Sequence, residues 1–420
     1  MFKNLKLIFS PKNKDIRKRI GFTLFGLLIF AVGTTIPVPG TEGAISNLGL
    51  WELINAIGGG ALKNFSIFAL GVMPYISASI ITGILQMDIV PYFTELKESG
   101  EQGRQKINQI NRYLGIAIAF VQGFAMAFTF IKGASTIQYF EIAIILTGGT
   151  ALLLWLGDQI TQKGIGNGIS LIIMAGIIST VPKMFIDTFG TLVTSRTGSL
   201  FIGIVGFSLF VLLYLLIVVG VVFEECSERR IPIQYSNRTT ASYGGKQNYI
   251  PFKINSAGVM PVIFASVLLS IPTFIAGILG SDSGFSLFVS KYIDYSTPVG
   301  FVLYMILIFV FGYFYTNMQI NPKELAKNLN RNGGYIPGIR PGVETENYIK
   351  KILNRITFLG STFIAIIAGL PIVFSSFIST GLPASVRIGG TGVLIVVGVA
   401  IETCRQLESS LINRSYKGAR

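Results

Sequence analysis

The stretch GVMPYISAS, residues 71–79, returns as GVMPVIFAS at 258–266 with seven of its nine positions unchanged. Each copy puts a proline near the start of an apolar run, where a helix has no partner for the missing N–H and gains from the fixed φ. Similar apolar blocks recur along the whole chain. Of its 420 residues, 51% are hydrophobic and 13% are charged, and the mean hydropathy is +0.63. Blocks of about 20 apolar residues are what a helix needs to cross the hydrocarbon layer. Backbone groups in lipid must pair within the chain, which selects helices over open sheets. The 48 glycines suit helices that pack closely.

These blocks predict an all-α polytopic membrane protein with ten spans, near 20–36, 70–87, 113–131, 139–156, 168–186, 201–222, 257–279, 299–317, 357–378 and 386–402. The basic lead KNKDIRKRI has no small-residue cleavage site after the first apolar block, so that block reads as a retained helix rather than a signal peptide. Of the 34 Lys and Arg residues, 28 fall in the tail 1–19, the segments 88–112, 157–167, 223–256 and 318–356, and the tail 405–420. With ten spans all six segments share one side, so both termini are expected in the cytoplasm. The net charge of +14 is mostly this bias and is not in itself a sign of nucleic-acid binding. Cys226 and Cys404 fall at cytoplasmic helix ends, where no disulfide is expected. There is no histidine, which leaves little scope for zinc sites, Ser–His dyads or imidazole proton relays. No nucleophile motif or carboxylate pair stands out, so neither an enzyme nor a cofactor or metal is expected.

Five spans separate the two copies of the phrase. Five is odd, so the copies enter the membrane from opposite faces. That is the signature of an inverted-topology repeat, an N-terminal half at 20–190 (spans 1–5) facing a C-terminal half at 191–404 (spans 6–10). A pathway is expected where the halves meet. Glu141, Asp158, Asp187, Glu224 and Glu402 all fall near span ends, so the midplane is bare of the ionisable groups that a coupled transporter usually keeps there. An uncharged path lined by Ile and Val fits a constriction that seals by packing. A secondary transporter of a small solute is the rival reading. Between the first two spans, AIGGGALKNFS (56–66) is glycine-rich and too short to cross. It reads as a re-entrant segment or, more plainly, as an outer loop.

Two basic loops are longer than joining helices requires. ERRIPIQYSNRTTASYGGKQNYIPFKIN (228–255) alternates apolar and polar residues around Gly-Gly, as a β-hairpin does. NPKELAKNLNRNGGYIPGIRPGVETENYIKK (321–351) predicts a short polar helix, then a Gly/Pro turn that holds Arg340 out in solvent. Such stiffened loops suit docking of a large acidic or RNA-bearing partner, against the plainer reading of a solvated positive-inside loop. In GIGNGIS (164–170) the glycines permit a tight entry to span five, and the Walker lysine is absent.

The segments TTIPVPG (34–40), GGALKNFSIFALGVMPYISASII (59–81), GEQGRQKINQINRY (100–113), KGIGNGISLIIMAGI (163–177), ERRIPIQY (228–235), INSAGVMPVIFAS (254–266), GGYIPGIRPGVET (333–345) and GGTGVLIVVGVAIET (389–403) resemble the SecY family of protein-translocation channels. The resemblance implies a channel that passes unfolded secretory polypeptides with signal sequences and releases transmembrane segments sideways into the lipid bilayer. Matched motif to motif, it places a pore ring at Val72, Ile76, Ile169, Ile173, Ile263 and Ile395. It places a plug at Ile57, Gly58, Gly59, Gly60, Ala61, Leu62, Lys63, Asn64 and Phe65. A lateral gate would lie between spans two and three and spans seven and eight. Motor and ribosome docking falls to Arg340, with Gly338, Pro341, Arg238 and Lys246. The implied partners are SecE and SecG in the membrane, the SecA ATPase and the ribosome, which would supply the energy. Two departures, Ala31 where the family usually has arginine and a weakly basic SNRTTASYGGKQ tip, leave an accessory channel dedicated to a few substrates as a variant reading.

Overall fold

A computed structural model describes residues 14–41, 51, 55, 58–86, 90–131, 133, 135–194, 200–235, 248–279, 283–294, 297–377 and 384–417. The first half holds α1 (Lys14–Gly33), α2 (Met73–Leu85), α3 (Pro91–Glu98), α4 (Glu101–Phe130), α5 (Thr136–Lys163) and α6 (Gly168–Phe189). The second holds α7 (Leu200–Cys226), α8 (Met260–Leu279), α9 (Gly284–Phe288), α10 (Pro298–Gln319), α11 (Pro322–Arg331), α12 (Val343–Phe377) and α13 (Ala384–Lys417). Among the described residues, eight helices are long and apolar enough to cross a membrane. The first two expected spans fall on α1, whose first two turns carry Lys14, Arg17, Lys18 and Arg19, and on the 13-residue apolar α2. Every expected span therefore lies on a helix, which is compatible with ten crossings.

The packing is written twice. In the first half α1 packs on α5 and α6, α2 on α4, α4 on α5, and α5 on α6. In the second α7 packs on α12 and α13, α8 on α10, α10 on α12, and α12 on α13. This is the same set of partners moved on by five spans. The halves join through α6 against α13 and through α8 against α2 and α4.

Outside the bundle the two basic loops form one unit. Strands β1 (Glu228–Tyr235) and β2 (Asn248–Lys253) pair antiparallel from Glu228↔Lys253 to Ile233↔Asn248, as the alternation predicts. The hairpin tip lies outside the described residues. On its other edge β1 takes β3 (Gly334–Tyr335), through Gln234↔Tyr335. Ile231, Ile233 and Phe252 then share a core with Leu329, Ile336, Ile349, Leu353 and Ile356. Helix α12 reaches this core because it starts at Val343, 14 residues before the expected span, and so projects about 20 Å beyond it at 1.5 Å per residue. The expected span 113–131 is likewise the inner part of the longer α4.

A candidate pore between the two halves

The duplicated phrase builds the same local structure twice. Gly71 and Gly258 both adopt left-handed backbone, at φ +56° and +60°, a conformation glycine enters without cost. Helices α2 and α8 begin two residues later, each with proline in its first turn. The Ile76 N–H donates to the Val72 carbonyl at 3.2 Å, and the Ile263 N–H to the Val259 carbonyl at 3.3 Å. Ile76 and Ile263, the same letter of the phrase, thus leave their helices at equivalent points.

Span five enters as tightly as GIGNGIS predicts. Gly166 sits at φ +86°, and the Asn167 side chain caps α6 by accepting from the Ile169 and Ser170 N–H groups at 3.2 and 3.4 Å. Gly168 lies on the Gly157 carbonyl with no room for a side chain. That contact presses Ile169 against α5.

Five of the six expected ring residues, Ile76, Ile169, Ile173, Ile263 and Ile395, line a single cavity of about 340 Å³. Val72 is buried in the same apolar core but does not line the cavity. Along α2 the lining runs C-terminally from Ile76 to Ser79, whereas along α8 it runs N-terminally from Ile263 to Gly258. Helices α6 and α13 repeat the opposition, with lining from Ile173 back to Asn167 on one and from Ile395 forward to Glu402 on the other. Matching helices of the two halves therefore approach the collar from opposite sides, as an inverted repeat requires.

The segment expected to form the plug lies on the far side. Residues 58–65 form successive turns, with Ala61, Leu62 and Phe65 buried in the main core. The Gly58 Cα lies 3.6 Å from where a Cβ on Gly71 would stand. A Cβ on Gly59 would come 2.9 Å from the Gly176 Cα, one turn beyond Ile173. The Ser179 hydroxyl reaches the Gly59 carbonyl at 3.3 Å. The segment is anchored at both ends: Asn55 accepts from the Gly60 and Lys63 N–H groups at 2.8 and 2.9 Å, and Phe65 accepts from the Val38 N–H at 2.9 Å. Ile57 lies outside the described residues.

The mouth of the cavity carries polar groups that sequence reasoning missed. Glu225 is buried and accepts from Asn255 Nδ2 at 3.2 Å, with Lys253 Nζ 3.9 Å from its other oxygen. Arg405 donates to the Glu225 carbonyl at 2.9 Å, tying the end of α7 to α13. Sequence reasoning singled out the neighbouring Glu224 at this span end, whereas the partners of Glu225 come from the hairpin base and from a helix 180 residues away. Glu402 also lines the mouth, whereas the collar itself is aliphatic. Among the described residues no three His, Cys, Asp or Glu side chains group as a metal site. Cys226 and Cys404 are free and exposed.

At the seam expected to open sideways, Thr82 on α2 hydrogen-bonds Asn111 on α4 within the first half. A Cβ on Gly83 would stand 3.4 Å from Met318 Sδ in the second half. On the basic loop 321–351 Gly338, Arg340 and Pro341 are exposed, Gly338 at φ +81°, and the Arg340 carbonyl accepts from Thr345 Oγ1 at 2.9 Å. Arg238 and Lys246 lie outside the described residues.

Known proteins resemble this chain in sequence and in fold. A relative from Halalkalibacterium halodurans, "Protein translocase subunit SecY", is 46% identical over 431 residues, covering 100% of this chain and 99% of the relative. One of the same name from Bacillus subtilis is 47% identical over 96% of each chain. Among solved structures, "The structure of a protein conducting channel" superposes with a TM-score of 0.67 at 21% identity, covering 94% of this chain and 92% of that one. Canine Sec61 in a ribosome-channel complex superposes at 0.65 with 20% identity, over 94% and 92%. These two share the fold. The SecY family model matches residues 66–404, and with near half identity across the full length the chain belongs to the SecY family.

Proposed function

We infer that this chain is a protein-conducting channel that passes unfolded polypeptides across a bacterial membrane. One observation carries the reading: aliphatic side chains from oppositely threaded halves lie between a cavity of about 340 Å³ and the glycine-seated segment 58–65. Branched aliphatic side chains offer no hydrogen bonds that would hold a passing chain, and they repack on one another once it has gone. In this reading Val72, Ile76, Ile169, Ile173, Ile263 and Ile395 are the seal, and the segment 57–65 blocks residual leak. A signal sequence of apolar residues gains about 25 cal/mol per Å² on leaving water. That gain favours the state in which α2 and α4 part from α8 and α10, a shift of population rather than a chemical step.

The chain supplies no energy of its own, so direction comes from the SecA ATPase or from synthesis on the ribosome. The exposed Arg340 turn and the unit built from β1, β2, β3, α11 and the start of α12 form the docking surface for both, with both termini on that cytoplasmic side. SecE and SecG complete the membrane complex. Support for the ribosome comes from the fold neighbour described as Sec61 in a ribosome-channel complex. The test is a photo- or thiol-crosslinker at Ile76 with a secretory precursor stalled in transit. A crosslink at Ile76 and at Ile263 is expected; none at any of the six positions overturns the assignment. Ion-driven uptake of a small solute by the purified protein would establish the transporter alternative.

A further inference from the structure

Trp51 belongs to the stretch between α1 and the plug, yet its side chain is 6% exposed and sits between helices of opposite halves. Its ring meets Phe130 of α4 edge-on at 5.4 Å and 68°. It meets Phe274 of α8 at 4.6 Å and 90°. Both arrangements match the geometry in which one aromatic edge faces another ring's negative face, an attraction that depends on orientation. Space has been cleared for the indole: a Cβ on Gly277 of α8 would come 3.0 Å from Trp51 Cζ2 and 2.5 Å from Thr129 Oγ1 of α4. The plug joins the same cluster, because Phe65 meets Phe130 edge-on at 6.4 Å and 72°. Phe65 takes φ +43° to do so, the one non-glycine left-handed residue among those described. Backbone strain of this kind persists only where surrounding contacts hold it.

We propose that Trp51 is a positioning residue that bolts α4 to α8 across the seam and ties that seam to the plug, so that neither moves without the other. The inference rests on the channel reading and adds to it the residue through which the seam and the plug are held together. An indole held by one phenyl from each half cannot keep both contacts when the halves part. Once it is released, Phe130 moves away from Phe65 and the plug loses a wall of its seat. An apolar segment entering the seam must therefore displace Trp51, and doing so frees the plug.

The test uses the full chain with its membrane partners, in native vesicles, with Cys226→Ser and Cys404→Ser as background. One reporter is the cysteine pair Gly83→Cys and Met318→Cys across α2 and α10. Thr82 bonds Asn111, 19 residues before Phe130 along α4 and so about 28 Å from it at 1.5 Å per residue, which keeps this pair clear of Trp51. The other reporter is Leu62→Cys in the plug, fully buried in the seated state, read by its rate of labelling with an impermeant maleimide. Trp51→Ala is expected to lower the seam crosslink and raise plug labelling, each by roughly tenfold, the scale expected for losing two such ring contacts. Trp51→Phe restores both to within about twofold, since it keeps the edge-to-face geometry. Trp51→Leu, which keeps apolar bulk, behaves as alanine and serves if the alanine variant does not accumulate. The proposal is overturned if either reporter stays at the parent value in both Trp51→Ala and Trp51→Leu, or if leucine restores both. Neither readout uses a substrate, so failure here leaves the channel reading standing, whereas failure of that reading shows as no precursor crosslink at Ile76 in the parent.

Discussion

Replacing Gly59 by alanine sets two costs on the seated plug that a displaced plug escapes. Gly59 has φ +73°, and a left-handed backbone costs an L-residue about 1–2 kcal/mol. The new methyl would also stand 2.9 Å from the Gly176 Cα and 3.2 Å from Ser179 Oγ. The first of these is backbone and cannot swing aside, so overpacking adds a further cost of about 1–3 kcal/mol. Gly60 separates the two effects. It has φ +82°, but a Cβ there meets nothing within 4 Å, so alanine at 60 pays the conformational cost alone. With 1.4 kcal/mol per tenfold, Gly60→Ala should raise the unseated population about tenfold and Gly59→Ala roughly a hundredfold or more. The assay is release of a small ionic dye from liposomes containing the resting channel, normalised to correctly inserted protein. Equal leak in the two variants would refute the close approach of the plug to α6, and parent-level leak in both would refute the plug itself.

The collar predicts that Ile76→Asn and Ile263→Asn, at matching letters of the repeated phrase, raise resting ion conductance to similar extents in planar bilayers. Each places an unpaired amide in an apolar ring, at a cost of about 1–3 kcal/mol on protein scales, and water relieves it by entering. Arg340→Glu should abolish motor-driven export into vesicles while leaving the amount of membrane-inserted protein unchanged, because exposed substitutions away from special contacts stay within about 0.5 kcal/mol. Ile349 is fully buried in the core shared by the two outer loops. Ile349→Ala should destabilise that unit by about 2–5 kcal/mol, seen as faster proteolysis within 228–253 while the spans stay protected.

The parts of the molecule legible in its sequence are those with a local cause. Apolar block length located every span on a helix, the alternation in ERRIPIQY located β1, and glycine clusters marked the turns at 58–65 and the entry to α6. Even the inversion was legible, since it needs only a repeated phrase and an odd number of crossings. What escaped depends on contacts between distant segments. Nothing in GGYIP marks Gly334–Tyr335 as a third strand on β1, so the two outer loops looked separate. The Glu225, Asn255 and Arg405 cluster draws on three segments that acquire proximity only when α7 and α13 pack. Trp51 carried no readable signal, because NLGLWELIN (47–55) is too short to span and nothing local shows which helices its tryptophan meets. The extra turns of α4 and α12 were missed for another reason: hydropathy measures the hydrocarbon layer, and a polar helix continues past it unnoticed.

The two halves repeat their helices but not what they insert between the first and second of each. In the first half that place holds the segment ending in the plug, and in the second it holds β1 and β2. Because the halves are inverted, equivalent insertions emerge on opposite sides of the collar. Gly71 and Gly258 record the outcome. They share one letter and one left-handed backbone, yet Gly71 faces Gly58 of the plug, while Gly258 meets nothing within 4 Å and borders the open cavity. A segment that must fold back into the membrane against its own helices needs glycine on both surfaces, and Gly58, Gly59, Gly71 and Gly176 supply it. A segment that must reach outward needs strand pairing and its own core, and Ile231, Ile233 and Phe252 supply that. One duplicated scaffold thus yields a segment folded back into the bundle on one side and a strand-paired unit with its own core on the other, and the collar between them is the part the halves build alike.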